Sequence, residues 1–301
     1  ISAGPQSIVI TTPSNNSYIN GTITIEASVS SPTNISRVEF FNGSTSIANV
    51  TSSPWRTTWN TANAADGTQN LKAIVYDKNG DSLNSSIVVV NVDNANPTAS
   101  TLTYPTANMN ISGSVTLQAT GTDTQGIAKI EFYDNSTLLG DDSTSPYTFV
   151  WTTNASNDGA HALKARVIDN TGRSLDSSTV SVTIDNTKPI PSITSPIAGQ
   201  DVNGSVTVTS TITESDLQRV DLYVDGAYAQ TNSTPAATTT LSWSSASVGD
   251  GSHMLSVRAY DYAGNYNDSA GVAVDVFNQA PLSVAITSPA NNTYATGTIA
   301  I

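Results

Sequence analysis

Apolar and polar positions alternate along this chain in short runs. "VTLQAT", "IEFYDN" and "LKARVID" each put every second side chain on one face, favour β-branched residues, and are bounded by turn formers every 8 to 12 positions. That is the pattern of half-buried strands. No stretch carries the period of a long helix. Between residues 97 and 188 the pattern predicts strands near 100–104, 114–121, 127–134, 137–141, 146–151, 161–169 and 178–185.

The runs recur. Pro13 and Gly21 come back as Pro105 and Gly113, as Pro196 and Gly204, and as Pro289 and Gly297. Trp59, Trp151 and Trp243 are 92 residues apart, as are Asp66-Gly67, Asp158-Gly159 and Asp250-Gly251. The chain therefore divides into repeat 1 (1–96), repeat 2 (97–188), repeat 3 (189–281) and the opening strands of a fourth repeat (282–301). Seven short strands in about 92 residues is the count of an immunoglobulin-like sandwich. The expected fold class is all-β, with tandem immunoglobulin-like β-sandwiches of about seven strands each. Alternation also selects the core: Leu71, Ala73 and Val75 recur as Leu163, Ala165 and Val167 and as Leu255, Val257 and Ala259. The three repeated tryptophans are assigned to the same interior.

The segment "VEFFNGSTSIANVTSSPWRTTWNT…DGTQNLKAIVYDKNGD" and its counterparts resemble the bacterial immunoglobulin-like domain found in tandem in secreted glycosidases, adhesins and surface-layer proteins. The resemblance rests on V/I-E-F-F/Y, the S-P-aromatic segment, T-W, D-G and D-x-x-G. Repeat 3 keeps a weaker version, with Leu222 in "VDLY" and Ala236 after Pro235. It implies the fold and an extracellular setting, and it fixes no single role.

Composition narrows the function. Charged residues are 12% of the chain, so its surface is covered by hydroxyls and amides, as suits a protein outside the cell. A net charge of -13 opposes nucleic acid, because no basic patch can gather. The absence of cysteine removes disulfides and thiolate metal sites. No apolar run reaches membrane-spanning length. The chain begins at Ile1 and shows no secretion signal, so any signal is expected to have been removed or to lie upstream, and the chain to be a mature segment or a piece of one.

Catalysis has no candidate. His161 and His253 hold one repeat position, filled by Gln69 in repeat 1, and are taken as surface or edge-strand residues. No phosphate loop, H-E-x-x-H or G-x-S-x-G is present. Calcium is the one ligand with a sequence argument. In such a sandwich the linker entering a domain lies at the same pole as two of that domain's loops. The first linker supplies Asp93 and Asn94, facing Asp123 and Asp169; the second supplies Asp185 and Asn186, facing Glu214, Asp216 and Asp261. Clustered oxygens of this kind suit Ca²⁺. The third linker has Phe277 where Asp stood, so no ion is expected there. N-x-S/T sequons at Asn15, Asn20, Asn34, Asn42, Asn49, Asn84, Asn110, Asn135, Asn154, Asn203, Asn232, Asn267 and Asn291 are candidate glycosylation sites.

The leading expectation is a non-catalytic structural protein of the cell exterior, a stalk, fibre or filament with copies or repeats meeting end to end. The alternative is an adhesin or a carbohydrate-binding accessory module of a secreted glycosidase, with exposed Trp55, Tyr133, Tyr223 or Tyr260 touching surface glycans. The fourth repeat is expected to continue beyond Ile301. Its rival is completion between chains, with Val284 and Ile286 in a neighbour's sheet.

Overall fold

The computed structural model describes residues 7–30 and 34–279, with a few single positions between 285 and 298. These residues fall into two compact units, 1–185 and 186–301. Most of the fourth repeat, Val284 and Ile286 included, lies outside the described residues.

Repeat 1 runs through β1 (Ile8–Thr12), β2 (Ser17–Ile19), β3 (Thr22–Val29), β4 (Ile35–Asn42), β5 (Thr45–Val50), β6 (Arg56–Asn60), β7 (Gly67–Asp77), β8 (Ser82–Asn84) and β9 (Val88–Val92). One sheet is β1-β3-β6; the other is β2-β9-β7-β4-β5, with β8 also on β7. All pairings are antiparallel except β2 with β9. Repeat 2 reproduces this plan from β10 (Ala99–Tyr104) to β18 (Val180–Ile184), and repeat 3 from β19 (Ile190–Ser195) to β27 (Val272–Val276). The helical elements of the described residues are single 3₁₀ turns such as Thr61–Asn63.

In repeat 2 the seven predicted strands are present, joined by two that periodicity does not mark: β11 (Asn110–Ile111) and β17 (Ser174–Asp176). Two or three residues are too few to show a period. β11 exists because Ile111 turns inward while its backbone pairs with Ile184.

Each repeat has its own core. Leu71, Ala73 and Val75 are buried with Phe40 and Trp59; Leu163, Ala165 and Val167 with Phe132 and Trp151; Leu255, Val257 and Ala259 with Leu222 and Trp243. The alternation of the long seventh strand ends on a carboxylate. Asp77, Asp169 and Asp261 follow at the same inward phase and are buried at one pole of their sandwiches.

The histidines correct the expectation of surface or edge-strand residues. They sit on central strands, β16 (Gly159–Asp169) and β25 (Gly251–Asp261), and are mostly covered. His253 bridges Asp225 Oδ2 at 2.6 Å and the Gly249 carbonyl at 2.9 Å, and His161 bridges Asp134 and Asn157 in the same way. Gln69 makes the neutral version of this bridge: its Oε1 accepts from Asn42 and its Nε2 donates to the Ala65 carbonyl.

Candidate metal centre

The linker after repeat 1 begins as β9 ends. The backbone N–H of Asp93 donates to the Ile19 carbonyl at 3.0 Å, extending the β2–β9 pairing by one residue. Asn94 then turns back into repeat 1. Its Oδ1 accepts from the Gly21 N–H at 2.9 Å and the Thr61 hydroxyl at 3.0 Å, while its own N–H donates to Asp66 Oδ1. The repeated Asp-Gly turn thus secures the linker. Asn278 repeats the arrangement with Asp250 and Ser245. Asn94, grouped with the calcium ligands from the sequence, uses its side chain to close its own domain. Asn186 holds the equivalent sequence position at the start of unit 2.

Asp93 meets two acids of repeat 2. Asp123 begins the loop after β12 (Ser114–Thr122), and Asp169 ends β16. One carboxylate oxygen from each of Asp93, Asp123 and Asp169 lies within 4.8 Å of the other two. The loops of Asp123 and Asp169 hold one oxygen of each carboxylate and leave the other without a bond. Asp123 Oδ1 accepts from the Gln125 N–H at 2.7 Å. Asp169 Oδ1 accepts from the N–H groups of Thr171 and Arg173 and from the Thr171 hydroxyl. Both oxygens of Asp93, Oδ2 of Asp123 and Oδ2 of Asp169 are buried without a completed hydrogen bond.

The electrostatics agree with this geometry. Asp93 is fully buried, and Asp169 is 1% exposed. Burial, and then the charges of Asp123 and Asp169, push the Asp93 carboxyl above the usual carboxylate range, against a weaker pull from the Ala95 N–H. Among the described residues no basic side chain forms an ion pair with any of the three. Arg173, four residues beyond Asp169, instead donates through Nη1 to Asn96 Oδ1 at 3.2 Å.

The other turns use their acids differently. In repeat 1 both oxygens of Asp77 are taken up by its own turn: Oδ1 by the N–H groups of Asn79 and Asp81, Oδ2 by the Asn79 amide. In unit 2 Asp261 accepts from the backbone and side chain of Asn265, and Glu214 turns onto the Ser215 N–H. Asp216 follows Glu214 in the same loop, and its carbonyl accepts from the Tyr262 N–H. Asp185 closes unit 1 with the same backbone bond that Asp93 makes, here to the Ile111 carbonyl. At the third linker the equivalent bond, to the Val202 carbonyl, comes from Phe277, a residue 54% exposed.

The aromatics singled out for sugar contact are engaged elsewhere. Trp55 is a core residue, 8% exposed, which corrects its assignment to the surface. Tyr133 donates to Glu131 at 2.6 Å and lies beneath Lys164 and Arg166, and Arg219 stacks over Tyr260. Tyr223 packs on Tyr228. None of the thirteen sequon asparagines is buried. Asn49, Asn84, Asn203 and Asn267 are among the exposed ones, whereas Asn15 and Asn42 use their amides within repeat 1.

The pattern of the family described as Bacterial Ig domain matches residues 7–73, 97–165 and 189–257. No curated protein matches the chain. Similar solved structures include fibronectin(III)-like modules of CbhA from Clostridium thermocellum, at 28% identity over 60% of this chain and 94% of that one, with a TM-score of 0.43. The FN1-FN3 domains of chicken CNTN1 are 10% identical over 90% of this chain and 98% of theirs, with a TM-score of 0.38. The endo-beta-1,4-mannanase from Thermotoga petrophila is 13% identical over 32% of this chain and 21% of its own, with a TM-score of 0.26.

Proposed function

Because this chain belongs to the bacterial Ig domain family, in three tandem copies, we propose that it is a non-catalytic spacer of an extracellular protein: a stalk or fibre segment whose repeats hold other parts apart. The family recurs in extracellular proteins and is typically non-catalytic. No described helix is long and apolar enough to cross a membrane.

The observation that carries the reading is the absence of slack chain between repeats 1 and 2. Asp93 continues the sheet pairing, Asn94 is locked into repeat 1, Asn96 accepts from Arg173 of repeat 2, and the Thr98 N–H already donates to Thr122. A joint of six residues with four of them anchored transmits position, which is what a spacer needs and a flexible tether lacks.

Small-angle scattering on the 301-residue chain tests it. Three sandwiches in line should give a largest dimension on the order of 100 Å. A globule of this length would be roughly 50 Å across, and finding that value would overturn the spacer. A second reading, an accessory or adhesive surface, draws on the exposed Tyr228, Tyr262 and Tyr266 of repeat 3. Retention of the chain on a polysaccharide column, abolished by replacing those three, would favour it.

A further inference from the structure

We propose that Asp93, Asp123 and Asp169 together bind one Ca²⁺ at the joint between repeats 1 and 2, tying the linker to two loops of the second repeat. Three acids close together are common and by themselves say little. What distinguishes this cluster is that four of its carboxylate oxygens are buried without a completed hydrogen bond, both oxygens of the fully buried Asp93 among them. A buried oxygen without a donor is costly, and a buried charge without a partner more so.

The surrounding turns preserve this state. Asp123 and Asp169 each use Oδ1 on N–H groups of their own loops, which fixes the carboxylates and leaves each Oδ2 unbonded and available to a cation. Asp77 shows that the same turn can satisfy both oxygens when Asn79 stands two residues on. Repeat 2 has Thr171 there, and its hydroxyl goes to the oxygen already bonded. The open oxygen of Asp169 is thus a local choice of sequence.

The donor set selects the ligand. Carboxylate oxygens are hard donors, suited to calcium or magnesium rather than to softer metals. Oxygens on opposite sides of one Ca²⁺ lie about 4.6 to 5.2 Å apart, given Ca–O lengths of about 2.3 to 2.6 Å. Separations within 4.8 Å can be spanned by that ion. Mg²⁺, with bonds of about 2.0 to 2.1 Å and a stricter octahedron, needs a tighter set.

The test is calorimetric titration of the chelator-treated 301-residue chain with CaCl₂, in parallel with thermal melts. Affinity in the range of extracellular modules, about 10⁻⁴ to 10⁻³ M, should raise the melting of unit 1 by roughly 3 to 6 °C at ten times that concentration. Asp185, Asp216 and Asp261 repeat the residue types at the second linker, so the site is counted by difference. Asp93→Asn should remove one equivalent of binding and the shift of unit 1, while melting no lower than the parent in chelator, since it deletes an unpaired buried charge. Asp123→Asn should likewise lose the response. No heat and no shift with millimolar Ca²⁺, an Asp93→Asn chain that binds as much as the parent, or an equal response to Mg²⁺ would overturn the proposal. Each of these outcomes leaves the scattering test of the spacer untouched.

Discussion

Single side chains show where one sandwich plan has been carried out well and where it has been strained. At one core position Ala27 pairs with Trp55 and Ala119 with Tyr147, but repeat 3 has Ser210 opposite Thr239. The Thr239 hydroxyl donates to the Ala236 carbonyl, whereas the Ser210 hydroxyl is buried with no partner. Ser210→Ala removes that cost and restores the residue used by the other two repeats. It should stabilise repeat 3 by about 1 kcal/mol, read as a higher denaturation midpoint with unchanged slope; a loss of stability would mean the hydroxyl is satisfied in solution. Ser177 is the opposite case. Its Oγ accepts from the Ala165 N–H at 3.0 Å and donates to the Ser178 carbonyl, bridging the gap where the edge of β16 passes from β17 to β18. Ser177→Ala leaves that N–H without an acceptor and should cost roughly 1 to 3 kcal/mol. Ser85 and Ser269 make the same bridge, yet the residue reads in the sequence as an ordinary turn serine. Its role appears only once β17 and β18 are seen to share one edge.

At the scale of the strand, most of the fold was legible because period and repeat length reinforce each other. Leu163, Ala165 and Val167 are on the inward face that alternation gave them, and Trp151 is buried beside them. What the pattern hid were short or polar features: β11 and β17, the inward phase of Asp169, and the separate duties of Asp93 and Asn94. The third linker did contain a usable signal, since "VDN", "IDN" and "VFN" keep Asn and exchange Asp. A residue kept when its neighbour changes has its own task, here closing the parent domain. The histidine bridges lead to a prediction of pH dependence. Both partners of His253, a carboxylate and a carbonyl, are acceptors, so both ring nitrogens must carry protons to satisfy them. The bond to Asp225 accordingly raises the His253 pKa above its ordinary value. The sign follows: a raised pKa contributes stability that is complete below about pH 6.5 and is lost as pH rises through the folded value. Unit 2 should melt lower at pH 8.5 than at pH 5.5. Replacing the pair by the neutral arrangement of repeat 1, His253→Gln with Asp225→Asn, should flatten that part of the profile. An unaltered profile in the double variant would assign the dependence to other groups.

Across the whole chain, stability is distributed among three cores rather than pooled. The buried clusters are 8–92, 102–184 and 202–276, and no residue of one repeat belongs to the cluster of another. Repeats that share no core should open separately, with coupling confined to their joints. Trp151→Ala tests this, because the ring is 8% exposed and packs on His161 within repeat 2. Removing it should destabilise that repeat by about 3 to 5 kcal/mol, a large part of what a domain of this size possesses. Hydrogen exchange followed by mass spectrometry should then show protection lost in peptides from β12, β13 (Ile127–Asp134) and β16, while those from β4, β7, β25 and β27 keep their parent rates. The joint between repeats 1 and 2 gives the experiment a second result. Asp93 and Asn96 reach repeat 2, while Asn94 is held by repeat 1. Opening repeat 2 should therefore expose residues 95–98 and leave the Gly21–Asn94 contact protected. Protection falling equally in all three repeats would mean that the joints carry far more energy than four anchored residues supply, and the chain would behave as one cooperative body.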